Sequence, residues 1–229
     1  MKLADYVINY LADYGIKDVF IVYGAANGDL IDAFTRNDKI RYIAVMHEQG
    51  GGFAAEGYSK VKNSLSAAIA TSGPGGMNFV TSIGNCYYDS VPCLFITGQI
   101  NSNFMRPNES IRQIGFQETD IVNIVKPITK YAKLINEPSE IKYELEKAIF
   151  EATSGRPGPV LLDIPINIQK QDINPDELFG FDHSTKMMYD ELIINKKIDL
   201  FINDLLSSKR PCLMIGGGVL FSLLSIFSV

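Results

Sequence analysis

The chain has 229 residues, 46% of them apolar, and 21 Lys and Arg against 26 Asp and Glu give a formal net charge of −5. That length and apolar fraction suit one substantial core plus part of another and exclude a disordered chain. An acidic balance with no basic cluster argues against nucleic acid or an anionic membrane as the main partner.

Leu3, Val7, Tyr10, Leu11 and Tyr14 fall on one face of a helix that Gly15 can end. With acids at Asp5 and Asp13 this start is no secretory signal, and the cytoplasm is the expected compartment. DVFIVY, residues 18–23, reads as a buried strand. The pattern then predicts a helix over 29–34, a strand over 41–45, a helix over 48–61 and a strand over 66–71. A helix over 77–88, a strand over 93–97, a short helix over 118–125, a strand over 130–134, a helix over 139–152 and a strand over 160–164 complete it. Short apolar strands alternating with helices predict an open, mainly parallel α/β sheet with helices on both faces, spanning residues 1–168.

Residues 169–186 are polar and read as a linker, and 187–229 begin a second unit with a helix and the strand CLMI, without room to finish it. The stretch PCLMIGGGVLFSLLSIFSV, residues 211–229, is uncharged and about long enough to cross a bilayer. Pro211 and the triplet 216–218 favour a strand, a glycine turn and a cut-off helix instead, so no membrane is expected. Cys86, Cys93 and Cys212 have neither metal-site spacing nor a disulfide scaffold's even count, and read as reduced, buried thiols.

In open parallel sheets, ligands bind beyond the carboxyl ends of the strands. The loops to inspect there are 24–28, 47–49, 71–78 and 97–99. Glu48 is the carboxylate placed directly at such a turn, beside His47; taken alone it reads as helix-end electrostatics worth about 0.3–1 kcal/mol. Only His47 and His183 occur, which rules out a zinc site of several histidines and leaves little nucleophilic machinery, so the chemistry points to a borrowed cofactor. The loop TSGPGGMN lacks the Lys-Ser/Thr ending of a P-loop and places Asn78 where a dinucleotide fingerprint needs Gly or Ala. A tight strand-to-helix turn is its simpler meaning.

VFIVYGAANGDLIDAF, HEQGGGFAAEGYSK, TSGPGGMN with YYDSVP, ITGQI, FQETD, VKPITKYA and GRPGPVLLDIPINIQ occur in that order across nearly all of residues 1–168. Together they resemble the N-terminal, pyrimidine-binding domain of thiamine diphosphate enzymes of the acetolactate synthase and pyruvate oxidase type. The resemblance implies thiamine diphosphate as cofactor. It also implies that Glu48 hydrogen-bonds a ring nitrogen of the aminopyrimidine and favours the imino tautomer, which removes the thiazolium proton. A desolvated carboxyl can share a proton with an aromatic nitrogen near neutral pH. By the same resemblance Tyr23 and Gly24 border the reacting carbon, and Thr71, Pro74 and Asn78 line the pyrimidine pocket. Gln99, Phe116, Gln117 and Lys130 match positions that face substrate or the site entrance, although a solvated lysine opening a strand suits Lys130 equally.

The implied activity is 2-oxo acid decarboxylation and carboligation in a homodimer or homotetramer. Gly50, Gly51, Gly52, Ala54, Ala55 and Gly57 would lie against the second subunit and so offset a glycine cost of roughly 1 kcal/mol each in a helix. Tyr23 and Ile21 depart from the family's GYPGG loop, which leaves the substrate open, and the lack of adjacent histidines favours a carboligase over a simple decarboxylase. Family members hold Mg2+ and the diphosphate through a GDG motif in a C-terminal domain, and no GDG occurs in these 229 residues. FAD stays open, because the flavin contacts of related enzymes lie largely in the central domain. FSLLSIFSV does not continue that domain. The chain therefore reads as truncated and inactive alone, with an inert dimerising or binding module as the alternative.

Overall fold

The apolar strands pair side by side and in one direction, as their alternation with helices requires. In the computed structural model, which describes residues 1–108, 110–182, 191–214 and 216, the strands are β1 (Asp18–Ile21), β2 (Arg41–Ala44), β3 (Ser66–Ala70), β4 (Cys93–Gln99), β5 (Tyr131–Leu134) and β6 (Val160–Pro165). They form one parallel sheet in the order β2-β1-β3-β4-β6-β5. The helices are α1 (Leu3–Tyr14), α2 (Gly28–Ala33), α3 (Glu48–Lys62), α4 (Pro74–Met77), α5 (Val80–Asp89), α6 (Ile121–Val125), α7 (Ile141–Thr153), α8 (Ile166–Gln169) and α9 (Glu191–Ser207).

A parallel sheet must be covered on both faces, and residue parity along the strands sorts the two cores. Leu94, Ile96, Leu162 and Ile164 face Leu3, Leu11, Leu30, Leu145 and Ile149 of α1, α2 and α7. Phe95 and Leu161, one position out of phase, face Ala55, Phe79, Ile83 and Ile121 on the side of α3, α5 and α6. α1 ends where expected: Gly15 takes φ 103°, and its N–H donates to the Ala12 carbonyl.

Two expected helices come out differently. The stretch 77–88 is a short α4 followed by α5, because a turn closes first on the Gly75-Gly76 pair and Phe79 N–H then donates to Gly76 O at 3.1 Å. The stretch 118–125 shortens to α6, because Glu118 turns inward to accept the Arg106 and Ile114 amides. Asp120 then caps the helix by accepting from Asn123 N at 3.2 Å.

The first compact unit runs from Met1 to Phe181, past the expected boundary at 168. Residues 169–181 are polar in composition yet anchored: Leu3 N donates to Gln171 O and Ile173 N to Met1 O, both at 2.8 Å. Phe181 sets its ring 5.5 Å from Tyr143 and 5.3 Å from Phe150. A few apolar anchors outweigh the linker-like composition around them.

The second unit is residues 182–229. It shows α9, whose expected start at 187 lies outside the described residues. Residues 212–214 form no strand, and Ile215 of CLMI lies outside the described residues, as do 217–229, which hold most of the candidate membrane stretch. Among the described residues no helix is long and apolar enough to cross a membrane. Cys86 and Cys93 are buried as expected, whereas Cys212 is exposed, in a unit whose described residues are all exposed.

Candidate active site

The strand order reverses between β1 and β3, since the chain leaves β1 towards β2 and returns across it to β3. The crevice at such a reversal is where open α/β sheets bind ligands. The turn after β1 is fixed by Asn27, fully buried, whose Oδ1 accepts from Gly24 N at 2.8 Å and whose Nδ2 donates to Val22 O at 2.9 Å. Ala26 N donates to Thr71 Oγ1 at 3.2 Å, tying this turn to the one after β3. Gly24 is required there: a Cβ on it would lie 2.4 Å from Thr71 Cβ. A cavity of about 270 Å3 opens at this junction, lined by Gly24, Ala25, Thr71, Ser72, Phe116 and Gln117 among others.

Glu48 opens α3 at the same edge. Its neighbour His47 is the helix cap, its Nδ1 accepting from Gln49 N at 3.2 Å, so the imidazole has a structural task. Glu48 Oε2 accepts from Asn78 Nδ2 at 2.9 Å. Its Oε1 points to Gly75, where a Cβ would stand 3.3 Å from that oxygen and 2.7 Å from Thr71 Cγ2. Bare Gly75 therefore keeps the space between Thr71 and the carboxylate clear. Glu48 is half-buried in this single chain.

Gly24, Glu48, Thr71 and Asn78 thus converge. Tyr23 is 71% exposed beside them, with its ring 3.8 Å from the Cβ position of Gly28, and Pro74 is exposed at the start of α4. Phe116, 82% exposed, and Gln117, with φ 60°, reach the cavity from the loop before α6. Gln99 does not join them: it is 1% exposed, and its amide donates to Asp163 Oδ2 and Thr119 O. Lys130 turns away as well, its Nζ donating to the Glu151 carbonyl and to the Ser154 carbonyl at 2.7 Å, at the end of α7. The small residues of α3 divide between two faces. Gly51 and Gly52 pack inside the chain, where a Cβ on Gly52 would meet Ser82 Oγ at 2.0 Å, while Gly50 and Gly57 have nothing within 4 Å.

Sequence reasoning missed Asn27, Gly98 and Asp163. Asn27 lies in the loop 24–28 marked by its place after a strand, but nothing in the sequence shows that its side chain ties that turn together. A Cβ on Gly98 would lie 2.0 Å from Ala26 O, so this strand glycine supports the cleft from behind. Asp163 did carry a signal, as the lone charge in the buried strand VLLDIP. Burial pushes its carboxyl up to about 7, against hydrogen bonds from Thr97 and Gln99 that lower it.

The residues at the cleft suit the pyrimidine end of a thiamine cofactor: a carboxylate fixed by one amide, and glycines where side chains would obstruct a flat ring. They do not suit its metal. Among the described residues no group of three or more His, Cys, Asp or Glu is placed to hold an ion.

Residues 1–124 match the family described as thiamine pyrophosphate enzyme, N-terminal TPP binding domain. Acetolactate synthase 2, chloroplastic, of Nicotiana tabacum is 38% identical over 222 residues, 95% of this chain and 32% of that protein. Acetolactate synthase, chloroplastic, of Arabidopsis thaliana is 38% identical over 226 residues, 96% of this chain and 32% of that protein. Acetolactate synthase 3, chloroplastic, of Brassica napus is 39% identical over 226 residues, 96% and 33%. The chain spans about a third of the length of these relatives. Their names also correct the cytoplasmic expectation, since all are chloroplastic proteins. The helical segment over residues 3–14 carries no information about which compartment holds the folded domain. With the family matched over more than half its residues, the chain belongs to the thiamine pyrophosphate enzymes, as their N-terminal TPP-binding domain.

Proposed function

We propose that these 229 residues form the pyrimidine half-site of a thiamine diphosphate-dependent 2-oxo acid carboligase, and that alone they bind and self-associate without turning over. The observation that supports this reading is the Glu48 carboxylate held by Asn78 over a Cβ-free gap at Gly75, next to the Thr71–Gly24 junction. When bound, the cofactor supplies an acidic ring carbon that, once deprotonated, attacks a carbonyl. Glu48 Oε1 would hydrogen-bond the aminopyrimidine ring nitrogen, Asn78 fixes the other oxygen, and Gly24 and Tyr23 would flank the space left for substrate. Phe116 and Gln117 close the open side. A second copy laid against the outer face of α3 would exclude water from Glu48, which one chain leaves half-buried. No step is assigned to flavin, or to magnesium, since among the described residues no group of three or more His, Cys, Asp or Glu is placed to hold an ion. The chain covers about a third of the length of the related synthases, so the full activity their names state is not carried over to these residues alone.

Calorimetric titration with thiamine and with thiamine diphosphate, each with and without Mg2+, tests the reading. The two ligands are expected to bind alike and independently of Mg2+. Glu48→Gln should weaken both by about tenfold, as loss of a charge-assisted hydrogen bond of about 1.4 kcal/mol requires. Magnesium-dependent preference for the diphosphate, or equal affinity in Glu48→Gln, refutes it.

A further inference from the structure

A second cavity, of about 300 Å3, lies beside the cofactor cleft, and one loop, residues 115–120, walls both. Phe116 and Gln117 line the cleft, while Glu118, Thr119 and Asp120 line the second cavity. Asp163 of β6 lines that cavity too, 2% exposed. Thr97 Oγ1 donates to its Oδ1 at 2.7 Å and Gln99 Nε2 to its Oδ2 at 2.8 Å. The same Gln99 nitrogen donates to Thr119 O at 2.8 Å, and Gln99 Oε1 accepts from Ile100 N at 2.9 Å. An unbroken hydrogen-bonded path thus runs from a buried carboxyl to the loop that carries Phe116 and Gln117. The loop has little slack on its other side, since Gln117 O would be 2.7 Å from a Cβ on Gly73.

We propose that Asp163 is a positioning residue for the cleft: through Gln99 it latches the 115–120 loop, and one proton on its carboxyl sets how tightly. When ionised, the carboxylate accepts charge-assisted bonds from both donors, which are about twice as strong as neutral ones, and the latch tightens. When protonated, its O–H turns to Thr97 Oγ1 and the Gln99 bond weakens. Burial first, and then the nearby Asp120 charge, place this change near neutrality. The charged groups sharing its cavity are Asp120, Glu118 and Arg106, the last 4.0 Å from Glu118 and 3.9 Å from Asp120. β4 contributes only the neutral Thr97 and Gln99. On β5, Leu134 lines the cavity, while Lys133 engages Glu140 and Glu144 at the α7 side. That the loop's position matters to a cofactor rests on the proposed reading of the cleft; the latch itself does not, and is tested without ligand.

The test is a pH titration of the full chain by NMR from pH 5 to 9, following the Gln99 side-chain amide, the Thr119 carbonyl carbon and the Phe116 and Gln117 amides. All four are expected to move together with a midpoint near 7. Asp163→Asn, which mimics the protonated acid, should abolish the movement. Thr97→Val removes a bond to the carboxylate and should raise the midpoint, and Asp120→Asn removes a repelling charge and should lower it. The two shifts keep the proposal falsifiable even where Asp163→Asn fails to fold, because with a merely structural role the Phe116 and Gln117 amides show no titration that follows the shifted midpoint. Flat signals in the wild type, loop amides that do not follow Gln99, or unchanged midpoints in the neighbour variants overturn it.

Discussion

Gly98→Ala should cost the first unit about 3 kcal/mol although it adds a single methyl group. The reason is the partner that the methyl would meet. Its Cβ would sit 2.0 Å from Ala26 O and 2.4 Å from Ala26 C, both backbone atoms, where ordinary contact begins at 3.4 Å. Ala26 cannot retreat freely, because its N–H donates to Thr71 and its carbonyl accepts from Gln169 Nε2 at 2.7 Å. Overpacking of this kind costs about 1–3 kcal/mol, and a hydrogen bond lost with it about 1 kcal/mol more. For a unit of this size, a loss of about 3 kcal/mol lowers the melting temperature by about 6–12 °C. Gly57→Ala is the control of opposite sign: with nothing within 4 Å of its Cβ position, a helical alanine should stabilise by about 1 kcal/mol. Thermal unfolding followed by circular dichroism reads both. A Gly98→Ala melting point within about 2 °C of wild type would show that the turn after β1 is not pinned from behind, and would undercut the account of the cleft.

Lys130→Met should lower stability by about 1 kcal/mol, since the ammonium caps the last carbonyls of α7, and should leave thiamine affinity unchanged; a loss of affinity would return Lys130 to the site. Asp163 sets a pH dependence of stability whose sign follows from a folded-state value of about 7 against an ordinary 3.8. Below about 4 both states hold the proton; between there and about 7 the unfolded chain releases it first, so stability falls across that window and levels above it, by of the order of 4 kcal/mol at most. Urea midpoints at pH 5 and pH 8 should therefore differ in the wild type and converge in Asp163→Asn, and parallel profiles would count against the burial argument.

What was legible in the sequence is what depends on period and order. Six strands stand within a few residues of their expected positions: β1, β3, β4 and β6 are buried along their whole length and read as short, mainly apolar runs, while the edge strands β2 and β5 are exposed and half-buried and were placed by their alternation with helices. The place of Glu48 at a strand-to-helix turn was legible in the pattern, but position alone reads as helix-end electrostatics, and a cofactor role for it comes only from the family resemblance. Gln99 and Lys130 were less so, since the direction of a side chain is decided by partners distant in sequence, Asp163 in one case and the end of α7 in the other. The compact unit runs past the expected boundary at 168 for a related reason. Composition averages over a segment, whereas Ile173, Leu178 and Phe181 attach it one residue at a time.

The two faces of α3 explain why a glycine-rich helix stands at the centre of this site. Gly51 and Gly52 face inward, and Gly52 lets the helix approach Ser82 and Phe79 more closely than any side chain would allow. That approach sets where the first residue of the helix, Glu48, meets Asn78 in the turn before α5. Gly50 and Gly57 face outward with open space, beside Phe53 at 43% and Val61 at 84% exposure. A glycine in a helix interior costs about 1 kcal/mol against alanine, and the inner pair recovers it by packing within the chain. The outer pair has no such return in a single chain, so its cost is offset only when another surface comes equally close. Gly57→Ala therefore separates the two cases: it should raise the melting point of the lone chain while weakening self-association. A gain in both would mean that the outer face has no close-packed partner.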